Sequence, residues 1–99
     1  MFEYEAGVIC RLIRDQKTRL IYRNHAERVR MVQRDISEND VRTVLGKCCV
    51  TDIREHTLGP VWSAEGTDLD GRRLRICVSV PTPQTAIIVV TTIDLDAKD

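Results

Sequence analysis

Aromatic side chains are scarce in this sequence: one Trp, one Phe and two Tyr among 99 residues. Any core it builds must be aliphatic. There is no net charge, with 15 basic residues against 15 acidic ones. Attraction to nucleic acid would therefore have to come from local clustering rather than a global positive field. No stretch approaches the roughly 18 apolar residues of a membrane span. Residues 1–5 are acidic and lack a continuous apolar run, so a signal peptide is not expected and the expected location is cytoplasmic. The four cysteines, Cys10, Cys48, Cys49 and Cys77, form no Cys-x-x-Cys pair. Cys48 and Cys49 are too close for an ordinary disulfide or for adjacent zinc ligands. Reduced, mostly buried thiols are expected, with no metal site and no cofactor. The five glycines are dispersed, which excludes a glycine-rich phosphate loop, and no Ser or Cys stands in a nucleophile motif.

What is present suits one α+β domain over residues 1–99, without repeat or linker. Charge is segregated: residues 11–34 carry eight basic side chains against Asp15 and Glu27, while Asp94, Asp96 and Asp99 make the end acidic. Val8, Ile9, Leu12 and Ile13 predict a first helix over 3–15. Residues 18–23 read as a short strand. Asn24 caps a second helix running to about residue 35, on which His25, Val29, Val32 and Ile36 share an apolar stripe opposite Glu27, Arg30 and Arg34. Ser37 with Glu38 and Asp40 marks a third helix, which Gly46 ends. Residues 48–54 form a strand candidate. Residues 61–69 and 72–80 flank Asp70-Gly71, a strong hairpin signal. Residues 86–93 are apolar throughout and suit a strand interior to the sheet. The chain is expected to fray from about residue 94.

A two-residue Asp70-Gly71 turn would pair Leu74 with Thr67 and Ile76 with Glu65. Leu74, Ile76, Val78 and Val80 would then meet the helices. Arg73, Arg75, Cys77 and Ser79 would share a polar face with Asp68, Gly66, Ala64 and Trp62. That face could hold a phosphate at Arg73 and Arg75, with Trp62 stacking on a base, or it could be a plain solvated face. His25 either packs at its helix end or exchanges a proton near neutral pH. His56 reads as an exposed loop side chain. Arg30 and Arg34 form a solvated face with Glu27 or bind phosphate.

The order of Arg30-Met31-Val32-Gln33-Arg34-Asp35-Ile36-Ser37, the later Gly66-Thr67-Asp68-Leu69-Asp70-Gly71-Arg72-Arg73-Leu74-Arg75-Ile76 and the apolar run of 87–92 resembles a family of small bacterial domains of unknown function, family 4258. The likeness covers roughly residues 20–93. His25-Ala26 stands one residue further from Arg30-Met31 than the family pattern has it, a rotation of about 100° that would turn His25 toward the core. The family is similar to RelE/ParE-type toxins. That resemblance implies helices packed on one face of a small, mostly antiparallel sheet of four or five strands. It also implies a toxin-like RNA-interacting domain, a metal-independent endoribonuclease of a toxin–antitoxin pair. His25 would then be the acid or base, Arg34 and Arg75 its catalytic partners, and Arg30, Arg73 and Trp62 the RNA-binding residues. RNA and a cognate antitoxin would be the partners. Balanced charge and sparse aromatics suit an alternative: a non-catalytic protein-binding module, an immunity or regulatory partner. A homodimer through an exposed strand edge is a third expectation.

Overall fold

The computed structural model describes residues 2–15, 17–57 and 59–96. Three helices, α1 (Glu3–Arg14), α2 (His25–Gln33) and α3 (Glu38–Leu45), accompany five strands: β1 (Arg19–Tyr22), β2 (Cys49–Arg54), β3 (Val61–Thr67), β4 (Arg73–Ser79) and β5 (Ala86–Asp94). The strands make one sheet in the order β1-β5-β4-β3-β2. β1 lies parallel to β5, and the other neighbours are antiparallel. The α+β architecture, with helices on one face of a mostly antiparallel sheet, is as the residue pattern implies.

The helices start where their capping residues dictate. Asn24 accepts a hydrogen bond from the Glu27 amide at 2.9 Å. Ser37 and Asp40 close a capping box, with bonds of 2.8 and 3.1 Å. α1 carries Glu3 and Glu5 in its first turn and Arg11 and Arg14 in its last, matching the helix dipole. One aliphatic core joins Val8, Ile9 and Leu12 of α1 and Val41, Val44 and Leu45 of α3 to Ala64, Leu74, Ile76, Val78, Ile87 and Val89 of the sheet. These strand residues alternate along β3, β4 and β5, so the helices cover one face and the other is left open. At Gly66 the approach is closest: a Cβ there would stand 3.3 Å from Val44 Cγ1.

α2 departs from its apolar period. His25 is exposed rather than turned inward, and Val29 and Val32 are 42% and 80% exposed. Glu27, only 1% exposed, is buried in their place with Met31. The cause is the strand beneath. β1 pairs with β5 only from Ala86 to Val89, so the β1-side edge of β5 is bare beyond that point. Buried backbone polar groups need partners, and α2 supplies them. Glu27 accepts hydrogen bonds from the Thr92 amide and the Thr92 hydroxyl, both at 2.7 Å. Arg34 donates to the Thr92 carbonyl. Hydrogen bonds to charged groups contribute about 1.5–3 kcal/mol each, enough to outweigh burying two valines.

The β3–β4 hairpin also differs from expectation. Its loop has three residues, 69–71, not two. Asp68 N–H bonds to the Arg72 carbonyl at 3.0 Å and Gly71 N–H to the Asp68 carbonyl at 3.2 Å, with Gly71 at φ 82°. This is a type I turn closed by a left-handed residue that glycine adopts without steric cost. The pairing therefore slips by one: Leu74 faces Gly66, Arg75 faces Glu65 and Cys77 faces Ser63. The inward set of β4 is unchanged, but every β3 side chain trades faces.

Arg72 ties this turn to the helices. Its Nε donates to Asp68 at 3.0 Å, Nη2 to the Asp35 carbonyl at 2.8 Å and Nη1 to the Arg34 carbonyl at 3.2 Å. Asp40 lies 3.3 Å from the same guanidinium. Burial alone would raise the Asp68 carboxyl, but the Arg72 and Asp70 amides and the Arg72 guanidinium outweigh it and hold it below the ordinary carboxylate value. Nor does the chain fray at residue 94. Leu95 N–H bonds to the Arg73 carbonyl at 2.9 Å, and Asp96 grips Arg73 at 2.6 and 3.1 Å. Residues 97–99 lie outside the described residues.

Candidate functional site: a groove on the open sheet face

Two β-bulges shape the open face. On β2 the register shifts between Val50 and Asp52, leaving Thr51 as the extra residue. On β5 the partners of Cys77 and Val78 are Thr91 and Val89, leaving Val90 extra. Bulges bend a strand, raise its twist and re-aim side chains. Between them lies a groove of about 760 Å³. Ser63, Glu65, Arg75, Cys77, Thr91 and Ile93 line it from the central strands, Thr51, Asp52 and Arg54 from β2, and Arg23, Glu55 and His56 from the flanking loops.

Its centre is the cross-strand pair of Glu65 and Arg75. Arg75 Nε and Nη2 approach Glu65 Oε2 at 3.1 and 3.0 Å. The bulged Thr51 donates its hydroxyl to the same oxygen at 2.9 Å. One carboxylate oxygen thus takes three contacts. Glu65 Oε1 and Arg75 Nη1 have no partner among the described residues. A fixed carboxylate with a spare oxygen can accept a proton, and a guanidinium with a spare N–H edge can bind a phosphoryl oxygen. Nearby, Ser63 Oγ and Cys77 Sγ are 3.7 Å apart. At the rim an Arg23 Nη lies 3.5 Å from His56 Nδ1. Thr57 Oγ1 lies 3.4 Å from the same ring nitrogen. Arg54 is held by Asp52 at 2.8 Å.

Of the six residues given a catalytic or RNA-binding role, His25, Arg34, Arg75, Arg30, Arg73 and Trp62, Arg75 lines the groove and the other five do not. His25 is exposed at the start of α2. Arg34 is engaged by the Thr92 carbonyl and acts as a strand-edge partner. Arg30 lies 3.9 Å from Glu27 on the outer side of α2. Arg73 is bound to Asp96, and this ion pair raises its affinity for its proton further. Trp62, on the helix side after the register slip, packs against the core instead of offering a ring to the open face. Glu65, Arg23 and Thr51 were missed, and His56, read as an exposed loop side chain, is exposed at the groove's rim. Glu65 was within reach: Asp68 and Gly71 hold the first and last positions of a type I turn, which calls for the three-residue loop and sets Glu65 opposite Arg75.

The cysteines divide similarly. None is bridged; Cys48 is buried, Cys10 and Cys77 are half-buried and Cys49 is exposed, so only one of the four meets the expectation of burial. Burial, helped by the neighbouring Cys10 thiol, pushes Cys48 up to about 12. No described helix is long and apolar enough to cross a membrane.

Fold and groove together define a small mixed α+β domain with a polar site on the uncovered face of its sheet. The family model for a domain of unknown function, DUF4258, matches residues 22–94, and the chain belongs to that family. No curated protein and no solved structure matches it.

Proposed function

We propose that this is a toxin-like RNA-interacting domain that cleaves RNA without a metal, and that the open-face groove is its site. The observation that carries the reading is the Glu65–Arg75 pair, with one carboxylate oxygen anchored and one guanidinium nitrogen to spare. Metal-independent cleavage needs a base for the 2′-hydroxyl, cations for the charge that develops on phosphorus and a proton donor for the departing 5′-oxygen. In this reading Glu65 takes the 2′-hydroxyl proton as that oxygen attacks phosphorus. Arg75 and Arg23 hold the phosphoryl oxygens. The bond to the 5′-oxygen breaks, and His56 returns a proton to it. The two products are a 2′,3′-cyclic phosphate and a 5′-hydroxyl.

Incubation of the purified protein with RNA in the presence of a chelator tests this. Wild type degrades RNA, while Arg75→Ala and Glu65→Gln lose activity by about 100-fold or more, the scale of a general-base contribution. Wild-type protein that cleaves no RNA at high concentration contradicts the enzymatic reading.

A second reading, a protein-binding module, is favoured by one observation. The groove balances Arg23, Arg54 and Arg75 against Asp52, Glu55 and Glu65, whereas nucleic-acid surfaces are usually strongly positive. A stable complex with the product of a neighbouring gene, disrupted by Arg75→Glu, would establish it.

A further inference from the structure

Two strands close the sheet at its sides, β1 and β2. The stretch of β5 that β1 leaves bare is capped by Glu27 and Arg34. β2 has no such cover. Among the described residues, no backbone group of Cys49–Arg54 is hydrogen-bonded to any segment but β3. A row of unpaired N–H and C=O groups is a template for another strand, and proteins usually blunt such an edge with a bulge or with charges. β2 has both, but neither closes it. The bulge ends at Thr51, and Asp52, Ile53 and Arg54 beyond it keep a regular register with Ser63, Trp62 and Val61. The charges are opposite in sign.

Side chains alternate along this stretch. Asp52 and Arg54 line the open-face groove, meet each other at 2.8 Å and stay 48% and 83% exposed. Ile53 packs on the helix side against the core, as does its cross-strand partner Trp62, and both are only half-buried. One strand matches this pattern by symmetry: a second copy of β2 running antiparallel. Residues directly opposite in an antiparallel pair share a face, and like charges set opposite each other are destabilising. With a two-fold axis at Ile53, Asp52 faces Arg54 of the second copy, Arg54 faces its Asp52, and the two Ile53 side chains meet on the helix side. Centring the pair on residue 52 or residue 54 would set carboxylate against carboxylate or guanidinium against guanidinium. β1 has no such symmetry, because Arg19 and Arg23 bracket it and no acidic residue lies between them.

We propose that the β2 edge is a self-association surface, on which a second copy of this chain pairs β2 to β2, antiparallel and centred on Ile53. The two sheets would join into one, with both helix layers on the same side. The two open-face grooves would then meet at the seam, because Thr51, Asp52, Arg54 and Glu55 line the groove from this edge. The surface does not depend on whether the groove cleaves RNA.

Sedimentation equilibrium of the full chain, with charge-reversed variants alone and mixed, tests it. Wild type should dimerise reversibly. Asp52→Arg leaves two arginines on the edge and Arg54→Asp leaves two aspartates, so either variant alone meets like charge across the axis. Each should self-associate at least about tenfold more weakly than wild type. An equimolar mixture of the two variants sets opposite charges against each other at both positions and should dimerise as wild type does. In NMR spectra of the wild type the amides of residues 51–55 should shift with protein concentration, a readout that needs no variant to fold. Wild type that stays monomeric overturns the proposal, whether the edge is left bare or another protein takes it. So does a dimer that both reversals leave unchanged, a mixture no better associated than its components, or concentration-dependent shifts confined to other strands.

Discussion

The two faces of the sheet use charged side chains in opposite ways. Under α2, Glu27 and Arg34 are consumed by the structure, completing the backbone of Thr92 where β1 ends. On the open face, Glu65 and Arg75 hold each other and still keep an oxygen and a nitrogen to spare. A charged residue next to the core is thus no sign of function by itself. What separates the two sets is unspent hydrogen-bonding capacity, in a groove shaped by two bulges.

The largest effect should come from the helix face. Glu27→Ala strips the acceptor from the Thr92 amide and hydroxyl and should lower unfolding free energy by about 3 kcal/mol in a urea titration. Glu27→Gln keeps an acceptor of the same shape and should lose less than half of that. A loss below about 0.5 kcal/mol for Glu27→Ala would mean that α2 is held by its apolar contacts alone.

Arg72→Ala comes next, because the turn, the α2–α3 junction and Asp40 all meet at that side chain. A fall in Tm of roughly 5–10 °C is expected at neutral pH. Acid sharpens the comparison. Asp68 is depressed in the folded state, so its contribution is present above its ordinary value of 3.8 and is lost as pH falls from there toward its folded value. Wild type should therefore weaken over that window, and Arg72→Ala should show a smaller change across it.

Arg75→Ala should barely alter stability. The pair it breaks is 40% exposed on the arginine side, and exposed pairs contribute about 0–1 kcal/mol. Its consequence is functional. The smallest effect concerns the thiols: at neutral pH Cys49 should react with a maleimide first and Cys48 last, since burial keeps the Cys48 thiol protonated. Peptide mapping by mass spectrometry reads the order.

Much of the frame was legible in the residues. The caps at Asn24 and Ser37, the inward set Leu74, Ile76 and Val78, and the apolar last strand all follow from local rules. The failures share a cause. α2 presents its polar side inward because β1 is shorter than β5, a fact of pairing that no helical period contains. The β3 partners of Arg75 depend on a loop one residue longer, and a slip of one moves a whole strand to the other face. So Trp62 went inward, Glu65 outward, and of the six residues given a catalytic or RNA-binding role only Arg75 reached the groove. The bulges at Thr51 and Val90, and with them the meeting of His56 and Arg23, belong to the assembled sheet and left no local trace in the sequence.

The central claim is that the open face works and the helix face holds. RNA cleavage in chelator by Arg75→Ala, beside wild-type protein of equal Tm, tests it most directly. The account predicts a folded variant with activity reduced by about 100-fold or more. Equal cleavage by the two proteins, or none by either, would contradict it.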